Sequence, residues 1–243
     1  FVDRMNGRAR ELGAADTNFV NCTGLPAPGG YSCARDIAVM TRALLSHPDY
    51  YRYSTVWMED MLHPGGRVTG LTNTNKLVRF YEGCDGGKTG FTNEAKFCLS
   101  ATAKRNDLRL ISVVIGADDG KVRFAEVSRL LNYGFANYEN KVLLLKDQIL
   151  ETPAPVKNGK TKEIRLRAAE EIGVFGARGK AAEGAEVVRE IRDITAPVKA
   201  GEIVGKIKVV RNGSVIAETN IAAAEDVQKR GYKDILKDMV DKM

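Results

Sequence analysis

The most informative short segment for chemistry is Lys88-Thr89-Gly90, which follows a Gly-Gly pair and precedes two apolar segments. Its residue types could hold an anion beside an extended peptide, because the lysine supplies a positive charge and the threonine a hydroxyl group. The glycine lacks a Cβ, so that another backbone could approach it closely. Taken alone, the tripeptide is unspecific, since a solvated turn lysine and a strand hydroxyl explain it equally well.

A second candidate is Arg123, which lies in the amphipathic segment that follows those apolar segments. Arginine rather than lysine is suited to pairing with a carboxylate through two parallel hydrogen bonds. The alternative is a solvated arginine on the polar face of a helix. Its charged neighbours Lys121, Glu126 and Arg129 are compatible with that alternative.

The four cysteines give no metal motif. Cys22, Cys33, Cys84 and Cys98 show no Cys-x-x-Cys spacing, and neither histidine is close to them in sequence. We therefore expect no metal site and favour small, partly buried side chains over a thiol nucleophile. Two disulfides outside the cytoplasm stay open as an alternative, whose connectivity the sequence does not give.

Composition excludes several classes of protein. The chain has 243 residues, of which 44% are hydrophobic and 28% charged, which is typical of a globular protein and not of a disordered one. No apolar run approaches the roughly 20 residues that span a bilayer. The net charge of +6 suits an anionic neighbour. The basic residues are spread along the chain without interleaved aromatic residues, and we expect no nucleic-acid binding.

Periodicity predicts a mixed α/β first domain at residues 1–140. Apolar spacing indicates helices near the start of the chain, over Asp36–Leu45 and over Lys121–Tyr138. Phe97–Ala103 and Leu108–Ile115 are typical of two strands joined by a short polar turn.

Beyond this domain the pattern changes to short alternating stretches, which predict a small all-β module at residues 141–224. Asn212-Gly213 between two of the stretches is a strong signal for a type I′ hairpin turn. From Val227 onward, apolar residues recur with helical spacing opposite a face rich in lysine. We expect an amphipathic helix within residues 225–243, which either packs on the β module or lies at a membrane surface.

Four stretches, in order along the chain, together resemble the serine-type D-alanyl-D-alanine carboxypeptidases, which are low-molecular-mass penicillin-binding proteins. The similarity covers essentially the whole chain, and this collinearity is far more specific than the tripeptide. The stretches are Gly24–Gly29 leading into Ser32–Asp36, Asp85–Thr92, Arg109–Ala117 and Ala196–Gly205.

The resemblance implies a function for each candidate residue. Members of the family bind substrate antiparallel to the strand that carries Lys-Thr-Gly. Lys88 would then place a positive charge near the nucleophile, and Gly90 would allow close approach of the substrate backbone. Thr89 and Thr92 would bind the substrate carboxylate together with Arg123. The N–H of Phe91 would donate to the oxyanion.

One departure from the family is large. Its nucleophile belongs to a Ser-x-x-Lys motif supported by a Ser-x-Asn motif, and neither pattern occurs in these residues. In the family both motifs precede the position that corresponds to Phe1. The first helix also begins at an apolar residue without an N-cap. We therefore expect a C-terminal portion of an enzyme that is inactive on its own.

The expected fold is a partial α/β (α+β) penicillin-binding domain with a mainly antiparallel sheet and helices on both faces. A small all-β, sandwich-like domain and a C-terminal amphipathic helix follow it. The expected activity is removal of the terminal D-Ala from peptidoglycan stem peptides through a serine acyl-enzyme, without metal or organic cofactor. The alternative is a non-catalytic protein of this fold that recognises cell-wall peptide.

The resemblance also implies partners and a location. β-lactams would bind in place of the stem peptide. The protein would lie outside the cytoplasm, peripherally on the outer face of the cytoplasmic membrane through its C-terminal helix.

Overall fold

The structure is a computed structural model that describes residues 1–232 and 234. The chain forms two compact units, of which the first is Phe1–Asn137 and the second begins at Tyr138. The predicted boundary lay at residues 139–142. The first unit contains five helices and five strands within the described residues: α1 (Val2–Glu11), α2 (Ala34–Leu44), α3 (Pro48–Ser54), β1 (Met58–Leu62), β2 (Val68–Thr72), α4 (Leu77–Phe80), β3 (Cys84–Thr92), β4 (Lys96–Arg105), β5 (Leu108–Ala117) and α5 (Gly120–Asn137).

The centre of the first unit is an antiparallel sheet in the order β3-β4-β5. β4 is the middle strand, and its central residues are buried on both faces. Leu99 is 1% exposed, and Ala101 and Ala103 are fully buried. This burial explains the continuous apolar character of the predicted hairpin, because a strand covered on both faces does not alternate.

Helices cover both faces of this sheet, as the fold prediction stated. On one face, the hydroxyl of Thr41 in α2 lies 2.8 Å from that of Ser100 in β4. On the other, Gly134 of α5 packs directly against Leu110, which pairs with Ala103 of β4. Since Ser100 and Ala103 are three residues apart in one strand, their side chains point to opposite faces.

A separate two-stranded antiparallel ribbon, β1-β2, lies between α3 and α4 in the chain. β1 is exposed along its whole length. The loop Pro64-Gly65-Gly66 reverses the chain and joins the two short strands.

The second unit is built from short strands, which agrees with the predicted β module. Its sheets have the orders β10-β6, β11-β13-β14-β9 and β12-β7-β8. All strand pairs are antiparallel except β12 with β7. The strands are β6 (Tyr138–Leu144), β7 (Ala154–Lys157), β8 (Glu163–Ile164), β9 (Leu166–Ala168), β10 (Ile172–Ala177), β11 (Ala185–Ile191), β12 (Ile194–Thr195), β13 (Ile203–Arg211) and β14 (Ser214–Ala223).

The predicted C-terminal helix is wrong for its first residues. Val227 does not belong to the apolar face of a helix but forms a β-bridge and is 3% exposed within the core of the β module. It forms an antiparallel bridge with Val198, and Lys229 forms another with Gly159. These bridges satisfy backbone groups that a helix would have used internally. Residues 233 and 235–243, on which the rest of the prediction falls, lie outside the described residues.

Within residues 1–232 and 234, no helix combines the length and the apolar character that crossing a bilayer requires.

Candidate functional site

The Lys-Thr-Gly segment lies in β3, which is an edge strand because β4 occupies only one of its sides. The N–H of Gly87 donates a hydrogen bond of 2.8 Å to the Tyr50 hydroxyl, away from β4. Peptide groups alternate in direction along a strand, and the pairing with β4 is regular from Gly86 to Thr92. The N–H and C=O groups of Thr89 and Phe91 therefore also point to the open edge.

The start of β3 is fixed by an ion pair with the far strand of the sheet. Arg109 of β5 donates from both terminal nitrogens to the Asp85 carboxylate, at 2.8 and 2.7 Å, and Nη1 also donates to Thr102 at 2.8 Å. The Asp85 carboxylate raises the pKa of Arg109 above its ordinary value. Such a bidentate ion pair is strong and directional. It fixes the part of β3 that directly precedes the Lys-Thr-Gly segment.

A buried asparagine holds the Gly-Gly pair that precedes Lys88. Asn75 is fully buried and donates from Nδ2 to the Gly86 carbonyl at 3.1 Å. Gly87 has a φ of +136°, and a Cβ on it would lie 2.2 Å from the Ser100 carbonyl oxygen. Glycine is required there, because this conformation and this close approach exclude a side chain.

The open edge of β3 borders a cleft of about 760 Å³. Lys88 is exposed there, and its Nζ donates to the Thr89 carbonyl oxygen. The Thr89 hydroxyl is buried and donates to that of Thr74 at 2.8 Å. All six candidate residues of the sequence analysis line the cleft: Lys88, Thr89, Gly90, Phe91, Thr92 and Arg123.

Arg123 is the buried cation of the cleft, with 9% exposure. Its Nη1 donates to the carbonyl oxygens of Gly90 and Cys98, both at 3.2 Å, and thereby bridges β3 and β4. The guanidinium also lies near the rings of Phe97 and Phe124, at 5.5 and 4.7 Å from their centres. The interpretation of Arg123 as a solvated surface residue is therefore wrong.

In the part of the chain that the structure describes, the charge of Arg123 has no negative partner. Among the described residues no carboxylate forms an ion pair with Arg123, and its buried Nε has no hydrogen-bond partner. Burial lowers the pKa of Arg123 below its ordinary value. An arginine held in place without an anion is ready to bind one, because the cost of removing water from the guanidinium has already been met in folding.

Sequence reasoning missed Tyr50, Thr74 and Asn75. Their contacts with β3 span 15 residues for Thr74, 11 for Asn75 and 37 for Tyr50, so no local pattern reveals them. The only available signal was Asn73-Thr74-Asn75, whose polar side chains favour hydrogen bonds to nearby backbone. Asn73 and Asn75 make such bonds, since Asn73 Oδ1 accepts from the Asn75 N–H at 2.9 Å.

The cysteines have separate environments. Cys22 and Cys98 line the cleft, and Cys84 is buried, where burial raises the pKa of its thiol. All four are free thiols in the structure.

Cys33 belongs to the only cluster of potential metal ligands among the described residues, together with Asp16 and Asp36. Asp36 Oδ2 already accepts from the Asp16 N–H at 2.7 Å and the Thr17 hydroxyl at 2.8 Å, which indicates a structural role.

Comparison with known proteins identifies both units. Residues 1–119 match the sequence profile of the D-alanyl-D-alanine carboxypeptidases, and residues 138–229 match that of the C-terminal domain of penicillin-binding protein 5. Both units are thus similar in sequence to proteins of the D-alanyl-D-alanine carboxypeptidase family. A relative from Bacillus subtilis, D-alanyl-D-alanine carboxypeptidase DacF, is 38% identical over 98% of this chain.

Solved structures of the family agree with this assignment. Penicillin-binding protein 5 from Haemophilus influenzae is 29% identical with a TM-score of 0.60, over 94% of this chain and 66% of that one. Penicillin-binding protein D2 from Listeria monocytogenes, in its cefotaxime-bound form, is 33% identical with a TM-score of 0.50, over 55% of this chain and 54% of that one. The chain spans 61% of the length of the Bacillus relative.

Proposed function

We propose that this chain forms the substrate-binding part of a serine-type D-alanyl-D-alanine carboxypeptidase, which removes the terminal D-Ala from peptidoglycan stem peptides. The observation that carries the proposal is the buried Arg123, which lines the same cleft as Lys88 and Thr89 and forms no ion pair with a carboxylate of the described residues. A peptide that ends in a free carboxylate supplies the missing anion.

The open edge of β3 would align the peptide. The N–H and C=O groups of Thr89 and Phe91 can pair with an added antiparallel strand, as in other cases of β-strand addition. The substrate carboxylate would accept from the Arg123 guanidinium, and Lys88 would contribute a second positive charge. The N–H of Phe91 would then donate to the oxygen of the scissile amide, on which negative charge develops during attack.

The serine nucleophile of the proposed reaction is not among the residues of this sequence. No serine in the sequence is followed by lysine three residues later. In the proposed reaction the serine of a Ser-x-x-Lys motif attacks the amide, D-Ala leaves, and water hydrolyses the resulting ester. β-lactams would acylate the same serine. The cefotaxime-bound form of the Listeria relative supports the binding of a β-lactam, which is the first part of this step.

Peptide binding tests the proposal on the chain itself. We expect a peptide ending in D-alanyl-D-alanine to shift NMR signals of β3 residues, and the same peptide ending in L-alanyl-L-alanine to shift them less. Lys88→Ala should weaken binding. Lys104→Ala, which removes an exposed lysine of β4 outside the cleft, is the matched control. Equal binding by both variants and the unmodified chain would contradict the assignment of Lys88.

A longer form that carries a Ser-x-x-Lys segment tests the chemistry. Lys88→Ala in that form should abolish acylation by a fluorescent penicillin, while Lys104→Ala should not. Undiminished labelling of the Lys88→Ala variant would show that Lys88 has no part in acylation.

We also propose that the protein acts outside the cytoplasm and associates weakly with the membrane surface through residues 232–243. The support is sequence pattern alone, since Ile235, Leu236, Met239 and Val240 recur with helical spacing among lysines. Co-sedimentation with anionic liposomes should decrease when residues 232–243 are deleted. Equal sedimentation of both forms would refute the membrane contact.

A further inference from the structure

A second cavity, of about 550 Å³, lies beside the cleft and is called the side cavity below. It shares Thr74 and Arg123 with the cleft. Its other walls come from α4 and the residue before it, and from the start of α5 and the residue before that. None of these wall residues lines the cleft, so the side cavity is a separate space that meets the cleft at Arg123.

Positive charge predominates in the side cavity. Lys76, Lys121 and Arg123 line it together with one carboxylate, that of Asp119, which gives a net charge of +2. Both lysines are exposed, and neither forms an ion pair with another of the described residues. The carboxylate is already engaged, because Asp119 Oδ1 accepts from the Lys121 N–H. The two lysines are therefore available to an anion from outside the chain.

The start of α5 adds backbone donors to this wall. The helix has 18 residues and begins at Gly120, which lines the side cavity. The first N–H groups of a helix have no partner within it, and the aligned peptide dipoles place partial positive charge there. Arg123 lies in this first turn, and its Nε is buried without a hydrogen-bond partner among the described residues. Helix starts of this kind bind phosphate groups.

The remaining wall of the side cavity is apolar. Leu77 and Phe124 contribute to it, and the Phe80 ring is 74% exposed. An edge-on contact with Trp57, with ring centres 5.8 Å apart, holds the Phe80 ring in place. A bare inorganic ion would leave this ring in water, whereas an anion with a ring-sized organic group would cover it.

We propose that the side cavity is a second anion site, which binds a phosphate monoester whose organic group packs on Phe80. Lys76 and Lys121 pair with the phosphate oxygens at the start of α5. A monoester carries a charge of about −2 at neutral pH, which matches the side cavity better than the single charge of a carboxylate does. The site does not depend on a peptide in the cleft, and it goes beyond the proposed function.

Titration of the chain with phenyl phosphate tests the proposal by NMR, and the backbone signals of Lys121 and Phe124 should shift. We expect phenyl phosphate to bind about two- to tenfold more tightly than inorganic phosphate, because of the ring contact. Its diester, methyl phenyl phosphate, should bind more weakly than the monoester because it has lost a charge. Phe80→Ala should remove the difference between phenyl phosphate and inorganic phosphate.

Variants of the two lysines test the charge. Lys76→Gln and Lys121→Gln should each weaken phenyl phosphate binding about two- to fivefold at low salt, and less at high salt, as for exposed ion pairs. Lys104→Gln, an exposed lysine that lines neither space, is the matched control and should change nothing.

The cleft is the alternative place for the phosphate. If Lys88→Ala weakens phenyl phosphate binding while Lys76→Gln and Lys121→Gln do not, the anion binds in the cleft and the proposal is wrong. It is also wrong if phenyl phosphate does not bind at millimolar concentration. A peptide ending in D-alanyl-D-alanine should bind the Lys76→Gln variant and the unmodified chain alike. Loss of peptide binding in that variant would show that the side cavity is part of the carboxylate site, which would overturn the proposal of a second site.

Discussion

Replacing Arg123 by glutamine gives a sharp test of how the cleft recognises its ligand. The change removes a buried charge but retains an amide that can donate to the Gly90 or Cys98 carbonyl. We expect the variant to lose affinity for a peptide with a free terminal carboxylate. The same peptide with a terminal amide, which offers no negative charge, should bind the variant and the unmodified chain alike.

The size of the expected loss of affinity follows from the burial of Arg123, which has no anionic partner within residues 1–232 and 234. A hydrogen bond to a charged group contributes about 1.5–3 kcal/mol. Each 1.4 kcal/mol is a factor of ten in the dissociation constant, so the loss should be about 10- to 150-fold. The low exposure of Arg123, at 9%, favours the upper part of that range, because solvent screens the interaction little.

The assay is a double-mutant cycle with two proteins and two peptides, measured by calorimetry or by NMR titration. For each protein, the affinity for the acid peptide is divided by the affinity for the amide peptide. The ratio for the unmodified chain divided by the ratio for the Arg123 variant measures the coupling between Arg123 and the carboxylate. Arg129→Gln, on the same helix with a side chain 76% exposed and paired with Glu126, is the control and should show no coupling. Urea unfolding of the Arg123 variant checks that the fold is retained.

An acid-to-amide ratio that is unchanged in the Arg123 variant would refute the reasoning. It would mean that the carboxylate is bound elsewhere, with Lys88 as the nearest alternative. A loss of affinity that is equal for acid and amide would also refute it, since that pattern indicates a collapsed cleft and not a missing charge.

Three other predictions concern the positioning of β3 and the chemistry of the chain. Gly87→Ala should lower the free energy of unfolding by about 2 kcal/mol or more, because a Cβ would meet the Ser100 carbonyl, whereas Gly7→Ala, which meets nothing within 4 Å, should not; urea unfolding measures both. Burial raises the pKa of Tyr50, so its neutral form is favoured in the folded state. Stability should therefore fall as the pH rises past the ordinary tyrosine value of about 10, and less so in Tyr50→Phe, as urea midpoints between pH 8 and 11 would show; equal slopes would contradict this. Intact-mass spectrometry after penicillin treatment should show no covalent adduct on this chain, and an added mass on serine or cysteine would reveal a nucleophile outside the Ser-x-x-Lys pattern.

Much of the first unit could be predicted from the sequence because its signals are local. The strands around residues 97–115 and the helix that begins at Gly120 follow from apolar periodicity, and the structure shifts their bounds by only a few residues. The mixed α/β class with antiparallel pairing is confirmed. The resemblance also selected six residues that the fold brings to one cleft, although their roles stay predictions.

The remaining features depend on contacts that periodicity does not encode. The burial of Arg123 is accompanied by its hydrogen bonds to two strands, and sequence alone left open whether Arg123 binds a carboxylate or is a solvated arginine on a helix. The error at Val227 has a similar origin. An apolar residue followed by others with helical spacing predicts a helix, but one antiparallel bridge to Val198 placed it in a β core instead. Tertiary pairing overrode the local pattern.

The hydrogen bond between Tyr50 and Gly87 has a consequence for the kind of peptide bond that can be cut. An edge strand open at both ends would accept the middle of a long chain, which could pass through and be cleaved internally. Here the edge of β3 is closed at Gly87, and the buried cation of the cleft, which bonds to the Gly90 carbonyl, favours a free carboxylate. Only a chain terminus satisfies both conditions. The tyrosine thus helps to make the proposed enzyme an exopeptidase, and opening that end would be the first step toward converting it into an endopeptidase.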